Sequence, residues 1–256
     1  MPRPGNWSKN NMTKVRLDIL LVDRRLAPTR EKARALILAG AVLVDERCVD
    51  KAGTLVDTQI SLRIKGEVSP YVSRGGLKLK GALETFEVSV RNLVVLDVGA
   101  STGGFTDCLL QEGAEKVYAL DVGYGQLAWR LRQDPRVVAI ERTNIRYFDG
   151  RGIKEDLDMA TVDASFISLK LIIPSISRLV RQEGFILALI KPQFEVGRKQ
   201  VGKQGVVRDP ALHEQVIEEM KTFFQETGME VRGTCESSLV GPAGNREFFI
   251  YAKNLK

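Results

Sequence analysis

A glycine-rich turn after a short apolar run constrains the fold of this chain more than any other feature. The run Val94–Val98 contains a single polar residue, Asp97, and Gly99, Gly103 and Gly104 follow it. A nearly continuous apolar run is typical of a parallel strand that is buried on both faces. A helix that begins after such a turn presents unpaired backbone N–H groups to a ligand. The pattern therefore predicts a strand–turn–helix unit of an α/β domain with a ligand site at the turn.

The spacing of the glycines indicates the kind of ligand. A dinucleotide-binding turn would read G-x-G-x-x-G, whereas three residues separate Gly99 from Gly103-Gly104 here. The loop resembles the first motif of S-adenosylmethionine-dependent methyltransferases, which implies a nucleoside cofactor without phosphate. An ordinary strand–turn–helix without a ligand is the alternative that the loop alone leaves open. The cofactor-binding residues expected in this loop are Asp97, Gly99, Ala100, Ser101, Gly103, Gly104 and Phe105.

Polar residues also stand where other apolar runs end. In doubly wound sheets, ligands bind at the carboxyl ends of the strands, and an acid there can accept hydrogen bonds from ribose hydroxyls. A single polar residue at such a position can be explained by its exposure to solvent at the end of a strand. Together with the glycine loop these polar residues predict further cofactor contacts at Asp121, Asn144 and Asp163, and at Val122 beside Asp121.

Composition excludes several classes of protein. The 256 residues are 44% apolar, enough for a sizeable core, yet no apolar run approaches the roughly 20 residues that span a bilayer. Three scattered cysteines, Cys48, Cys108 and Cys235, fit a reducing cytosol, so a cytoplasmic location is expected. The single histidine, His213, is expected on a solvated helix face. Neither a metal site nor a Ser-His-Asp site is therefore predicted.

The order of predicted elements favours a doubly wound α/β sheet. The predicted helices lie near 77–85, 104–111, 127–132, 169–181 and 210–227. The predicted strands are 93–98, 116–121, 137–140, 159–163, 185–191, 230–235 and 247–252. Seven strands with a final hairpin resemble the Rossmann-like sheet of S-adenosylmethionine methyltransferases, whose last hairpin inserts an antiparallel strand.

The N-terminal part of the chain forms a separate, basic module. Of the net charge of +6, residues 1–72 carry most, with 13 Lys and Arg against 8 Asp and Glu. The pattern predicts a helix over 15–26 and a second helix from Arg30 to Ala39, which Thr29 caps and Gly40 ends. Short strands are predicted near 41–44 and 59–64. A basic module of this size points to an anionic polymer as its partner.

Two motifs in this module resemble the S-four-type RNA-binding domain. They are Thr29-Arg30-Glu31-Lys32-Ala33 and Ile37-Leu38-Ala39-Gly40-Ala41-Val42-Leu43-Val44. The resemblance implies a small α+β domain that binds RNA, although a solvated basic face is the alternative. The residues expected to bind RNA are Arg16, Arg24, Arg25, Arg30, Lys32, Arg34 and Arg74. The predicted domain boundaries are a disordered tail at 1–14, this domain at 15–67, a linker at 68–74 and the α/β domain at 75–256.

Lys191 is the residue with the clearest catalytic potential. It closes the apolar run 185–190, and burial there would favour the neutral amine, which can accept a proton from a hydroxyl. The alternative is that its ammonium group simply reaches water.

Five motifs, in order, resemble the TlyA/hemolysin A family, in which an S-four-type domain precedes an FtsJ-like methyltransferase. They begin at Tyr71, Leu96, Val162, Ile190 and Gly244, and the resemblance covers residues 15–253. It implies S-adenosylmethionine-dependent 2′-O-methylation of ribosomal RNA without a metal. It also implies a catalytic tetrad of Lys78, Asp163, Lys191 and Glu247, with Lys80 as an alternative to Lys78.

The expected partners are ribosomal RNA or ribosomal subunits, without a membrane, and the chain is expected to be a monomer. A membrane-active hemolysin and a non-catalytic rRNA-binding protein are the alternative functions.

Overall fold

The computed structural model describes residues 14–45, 47–65, 69–197, 200–202, 205–241 and 244–256. The chain divides into two compact units, Met1–Val68 and Ser69–Lys256. The predicted domain boundaries stay predictions, and the tail predicted over 1–14 lies outside the described residues except for its last position. The predicted linker at 68–74 is described from residue 69 onward.

The first unit is a small α+β fold. Its elements are β1 (Lys14–Arg16), α1 (Leu17–Asp23), α2 (Arg30–Leu38), β2 (Val42–Val44), β3 (Arg47–Cys48), β4 (Leu55–Asp57) and β5 (Leu62–Ile64). β1 pairs antiparallel with β4, and β2 lies between β3 and β5. Thr29 caps α2, since its side chain accepts a hydrogen bond from the Lys32 N–H over 3.2 Å. The helix predicted over 15–26 is shorter because residues 14–16 pair as a strand and Arg25 takes a left-handed φ of 58°.

The second unit alternates helices and strands. Its helices are α3 (Gly75–Thr85), α4 (Gly104–Gln111), α5 (Trp129–Arg132), α6 (Ile173–Leu179), α7 (Pro192–Glu195) and α8 (Pro210–Glu226). Its strands are β6 (Val94–Val98), β7 (Lys116–Leu120), β8 (Val137–Ile140), β9 (Leu157–Val162), β10 (Val180–Ile190), β11 (Met229–Glu236) and β12 (Phe248–Asn254). Short 3₁₀ helices occupy Ile145–Tyr147 and Leu169–Leu171.

Among the described residues, the seven strands of this unit form one sheet in the order β11-β12-β10-β9-β6-β7-β8. β6 to β10 run parallel, whereas β12 is antiparallel to both of its neighbours. Apolar clusters cover both faces of the sheet, which explains why β6 is buried along its whole length. The predicted α/β fold with an inserted antiparallel strand is confirmed. The chain reverses its direction of winding at β6, so the carboxyl ends of β6 and β9 lie side by side and form the ligand crevice typical of such sheets.

Two expectations differ from the structure. The single helix predicted over 169–181 is a 3₁₀ turn followed by α6, because Pro174 lacks the N–H that a continuous helix requires. His213 is only 3% exposed rather than solvated. Its Nε2 lies 2.9 Å from the Val207 carbonyl oxygen and its ring packs against Phe248, because α8 turns this face toward β12.

Candidate active site

The glycine loop between β6 and α4 is shaped by close backbone approaches. Gly99 has a φ of +83°, and a Cβ at this position would lie 2.6 Å from the Asp163 carbonyl oxygen. Gly103, with a φ of +95°, is the residue before α4. A Cβ on Gly104 would lie 2.2 Å from Ser73 Oγ. The loop therefore fits between the end of β9 and the segment before α3 only because these positions are glycine.

Asp97 lies beneath this loop rather than at its surface. Its side chain is completely buried and accepts hydrogen bonds from Thr106 Oγ1 over 2.7 Å and Thr161 Oγ1 over 3.2 Å. Burial raises the pKa of Asp97 to about 7, although these hydrogen bonds oppose the shift. Asp97 thus fastens the end of β6 to the first turn of α4 and to β9, and it would support a cofactor through the shape of the loop.

Asp121 connects the end of β7 to the same loop. Its Oδ2 accepts a hydrogen bond from Ser101 N over 2.8 Å, and its Oδ1 accepts one from Gly123 N over 2.7 Å. Each carboxylate oxygen has a further lone pair, so the partly exposed side chain can still accept from a ligand. Val122 is exposed beside it, while the Asn144 side chain caps the 3₁₀ helix at Ile145–Tyr147.

A cavity of about 530 Å³ opens beside the glycine loop. Its volume is in the range of small-molecule sites. It is lined by Ser73, Arg74, Gly75, Lys78, Gly99, Ala100, Ser101, Thr102, Gly104, Phe105, Asp163, Ser165, Lys191, Val240 and Glu247. The structure therefore brings the four predicted catalytic residues to one cavity with most of the loop. Five predicted cofactor residues do not line it, namely Asp97, Gly103, Asp121, Val122 and Asn144.

Two lysine–carboxylate pairs form the polar wall of the cavity. Lys78 Nζ from α3 lies 2.5 Å from Glu247 Oε2, which immediately precedes β12. Lys191 Nζ at the end of β10 lies 2.6 Å from Asp163 Oδ1 at the end of β9. Both lysines are less than a tenth exposed, and each lies against a carboxylate, which satisfies a polar group that is cut off from water.

Lys80, the alternative to Lys78, faces away from the cavity. Its Nζ lies 2.9 Å from Glu112 and 3.4 Å from Glu84. Hydrogen bonding to Glu112 raises the pKa of Lys80, so it remains a charged surface lysine. Lys78 is therefore the α3 lysine that lies at the cavity.

One carboxylate oxygen of Glu247 accepts no hydrogen bond from the described residues. It is Oε1, and it is buried. A Cβ on Gly241 would lie 2.1 Å from this oxygen, so the glycine leaves room for the carboxylate. A buried acceptor without a donor is costly, so Glu247 depends on its contact with Lys78.

Sequence reasoning missed five residues of the cavity wall, Ser73, Gly75, Thr102, Ser165 and Val240. Ser165 is the most informative because Lys191 Nζ donates to its Oγ over 2.7 Å. Its position two residues after Asp163, at the end of a predicted strand, was the signal that could have identified it.

The basic residues of the first unit differ in their contacts. The Nε atoms of Arg16 and Arg30 lie 3.0 and 2.9 Å from the two carboxylate oxygens of the buried Asp18. Arg24 donates to the carbonyl oxygens of Ile60 and Thr58 over 2.6 and 2.5 Å. Arg30 therefore lies beside Arg16 at the start of α1, whereas Arg24 follows the end of that helix. Arg25 and Arg34 are exposed and Lys32 is partly exposed.

Comparison with known proteins agrees with this division of the chain. The model of the S4 domain matches residues 15–59, and the model of the FtsJ-like methyltransferase matches residues 71–254. The Bacillus subtilis protein YqxC, described as an rRNA methyltransferase, is 50% identical over 93% of this chain and 85% of its own. The 16S/23S rRNA (cytidine-2′-O)-methyltransferase TlyA of Mycobacterium tuberculosis is 45% identical over 94% of this chain and 90% of its own. A solved structure from Streptococcus thermophilus, described as a hemolysin, has a TM-score of 0.75 at 44% identity, covering 96% of this chain and 90% of that one.

The inserted antiparallel strand, the glycine loop and the cavity at the carboxyl ends of β6 and β9 define an α/β domain of the methyltransferase class. The chain belongs to the FtsJ-like methyltransferase family, with an S4 domain before the catalytic fold. The predicted resemblance to the TlyA/hemolysin A group is thereby confirmed.

Proposed function

We propose that this protein transfers a methyl group from S-adenosylmethionine to a ribose 2′-hydroxyl of ribosomal RNA. The observation that carries the proposal is the convergence of Lys78, Asp163, Lys191 and Glu247 at one cavity. They come from four separate parts of the chain, and the glycine loop forms the adjoining wall. Similarity to the rRNA methyltransferases reported above supports the same substrate class.

The cavity fits the proposed cofactor. Its glycine wall admits a nucleoside close to the backbone, and Asp121 offers acceptor oxygens beside it. Arg74 at the rim and Asp163 inside provide both signs of charge for an amino-acid end and a cationic sulfur. Bound S-adenosylmethionine supplies an electrophilic methyl group, so the protein needs chiefly to position the acceptor and to take up its proton.

Lys191 is the proposed general base. The amine in its neutral form accepts the proton of the 2′-hydroxyl as this oxygen attacks the methyl carbon. Asp163 holds the lysine through its 2.6 Å contact and stabilises the ammonium that results. Lys78 and Glu247 form a second lysine–carboxylate pair at the same cavity.

The acceptor RNA would meet the protein at two places. Exposed cations of the first unit, including Arg25 and Arg34, suit phosphate contacts, as the S4 domain implies. At the catalytic domain, Arg74 lines the cavity, and the ring of Phe166 is 91% exposed three residues after Asp163. An exposed aromatic ring is a stacking surface for an unpaired base.

The substitution Lys191→Ala tests the proposal. We expect labelled-methyl transfer to ribosomal subunits to fall by at least about a hundredfold, because the general base is lost. Affinity for S-adenosylmethionine, measured by calorimetry, should stay nearly unchanged, since the glycine loop is intact. Lys221→Ala provides the matched control, because this lysine pairs with Glu218 on the surface of α8. Full transfer activity in Lys191→Ala would refute the assignment of the base.

The transfer assay and a dye-release assay separate the alternative functions. A non-catalytic rRNA-binding protein would bind subunits without transferring label. No helix within the described part of the chain is long and apolar enough to cross a membrane. A membrane-active hemolysin would release dye from purified liposomes, and we expect no release. As an enzyme of ribosomal RNA, the protein is proposed to act in the cytoplasm, and as a monomer.

A further inference from the structure

A hydroxyl group contacts Lys191 in addition to the predicted catalytic residues. Lys191 Nζ donates to Ser165 Oγ over 2.7 Å and pairs with Asp163 Oδ1 over 2.6 Å. Ser165 lines the cavity, whereas the lysine side chain is only 8% exposed. Two fixed partners on one amine determine where its remaining N–H or its lone pair points. The direction of proton transfer therefore depends on Ser165 as well as on Asp163.

The turn that carries Ser165 is fastened by a carboxylate from the next strand connection. Glu195, the last residue of α7, accepts hydrogen bonds from Ser168 Oγ over 2.5 Å and from Leu169 N over 2.8 Å. Burial raises the pKa of Glu195, and these two hydrogen bonds oppose the shift. The two carboxylate oxygens of Glu195 thus join the turn after β9 to the segment after β10. Glu195 lies four residues after Lys191 in that segment.

The backbone of this turn requires such an attachment. Phe166 has a φ of +64°, a left-handed conformation that bulky residues rarely adopt. Its exposed ring lies 5.2 Å from that of Phe194, centroid to centroid, and Phe194 precedes Glu195 in α7. A strained, exposed turn persists only when its surroundings hold it. The position of Ser165 therefore depends on the contacts at both ends of the turn, Lys191 on one side and Glu195 on the other.

We propose that Ser165 orients Lys191 for proton removal and that Glu195 is the positioning residue that holds Ser165 at the lysine. The inference rests on the proposed methyl transfer. In that reaction the acceptor oxygen bonds to the methyl carbon, while the carbon–sulfur bond breaks and its electron pair stays on sulfur. The proton of the acceptor hydroxyl passes to the neutral Lys191 amine, and Ser165 Oγ accepts a hydrogen bond from the ammonium that forms.

Ser165→Ala and Ser165→Thr test the first half in the full chain with ribosomal subunits as substrate. The hydrogen bond to a charged partner is lost in the alanine variant, so we expect kcat to fall about 10- to 100-fold. KM and Kd for S-adenosylmethionine should change less than about twofold, because the contact is made to Lys191 and not to the cofactor loop. The threonine variant keeps the hydroxyl and should recover most of the activity.

Glu195→Ala and Glu195→Gln test the second half. The alanine variant should lower kcat by about tenfold with an unchanged cofactor Kd, and the glutamine variant should recover part of it, because its amide oxygen can still accept from Leu169 N. If Glu195 acts through Ser165, the double variant Ser165→Ala/Glu195→Ala should lose less than the product of the two single losses.

Matched controls are Ser89→Ala, at an exposed position before β6, and Glu218→Gln, which weakens a surface ion pair with Lys221. Both should retain wild-type kcat. A wild-type enzyme without transfer activity would contradict the proposed function itself. An active wild type with full kcat in Ser165→Ala would overturn this inference alone. So would a loss of cofactor affinity parallel to the loss of kcat, or multiplicative losses in the double variant.

Discussion

The two units each bury an aspartate completely, yet the two carboxyl groups differ in charge. Hydrogen bonding from Arg16 lowers the pKa of Asp18 to about 2, with a smaller contribution from Arg30. Burial raises the pKa of Asp97 to about 7, and the hydrogen bonds from the neutral hydroxyls of Thr106 and Thr161 offset this shift only in part. Neither side chain contacts solvent, but Asp97 lies deeper among protein atoms, so the two pKa values reflect both the depth of burial and the arginines beside Asp18.

The difference matches what each unit is proposed to bind. Asp18 stays anionic and orders two arginines at the start of α1, where they remain about half exposed to a phosphate. Asp97 carries little or no negative charge below neutral pH, so the glycine loop above it is shaped by hydrogen bonds rather than by an ion pair. The first arrangement presents oriented cations, and the second supports the cofactor wall.

Removal of both cations from Asp18 should have the largest effect. The double substitution Arg16→Met/Arg30→Met leaves a buried carboxylate without its partners, so we expect the first unit to lose more stability than the second unit loses on Asp97→Ala. Hydrogen exchange followed by mass spectrometry would measure this as faster exchange in peptides that cover α1.

A matched control is Arg136→Met, which breaks an Arg–Asp pair with Asp134 at the surface of the second unit. Exposed pairs contribute little, and we expect a loss below about 1 kcal/mol. Unchanged exchange across α1 in the double variant would show that Asp18 does not depend on its arginines and would remove the contrast with Asp97.

The sequence predicted one of these aspartates and not the other. Asp97 is evident because it interrupts an apolar strand before a glycine loop. Asp18 is inconspicuous, since its partner Arg30 is twelve residues away and their contact depends on how α1 and α2 pack. The same limit applies to the cavity, because the contacts of Ser165 and Glu195 join the connections of two neighbouring strands, which local patterns do not specify.

The fold was more predictable than the site. Apolar runs and turn residues are local, so the strands of the sheet and most helices follow from them. Lys78 and Lys80 both fit the motif in α3, and only the packing of this helix shows which one meets Glu247. The catalytic roles of the four residues remain predictions, although the structure places all four at one cavity.

Asp97→Ala should have the next largest effect. The substitution leaves the hydroxyls of Thr106 and Thr161 without their acceptor and opens a small void, at a cost of about 2–4 kcal/mol. The loop would loosen at both ends, so affinity for S-adenosylmethionine in calorimetry should fall as well. Asp149→Ala, at an exposed position, is the control and should leave both quantities unchanged. Unaltered cofactor affinity in Asp97→Ala would show that the loop keeps its shape without this carboxyl group.

The smallest expected effect is a difference in pH dependence. The folded-state pKa of Asp97, about 7, lies above the usual value of 3.8, so the native state keeps a proton that the unfolded chain loses. The free energy of unfolding of the wild type should therefore fall as the pH rises from 3.8 to about 7. Asn cannot ionise, and Asp97→Asn should become more stable relative to wild type by about 2 kcal/mol between pH 5 and pH 8. Urea unfolding followed by circular dichroism measures the difference.

Asp18→Asn should give the opposite slope. The folded-state pKa of Asp18, about 2, lies below its usual value, so the stability that this carboxylate contributes is present above about pH 4. It is lost as the pH falls toward 2, and the gap between wild type and Asp18→Asn should close over that range. Unfolding of the two variants across the full pH range therefore tests the contrast directly. If the free energy of unfolding of both variants followed the wild-type pH dependence, neither aspartate would have a shifted pKa in the folded state. The contrast between Asp18 and Asp97 would then be refuted.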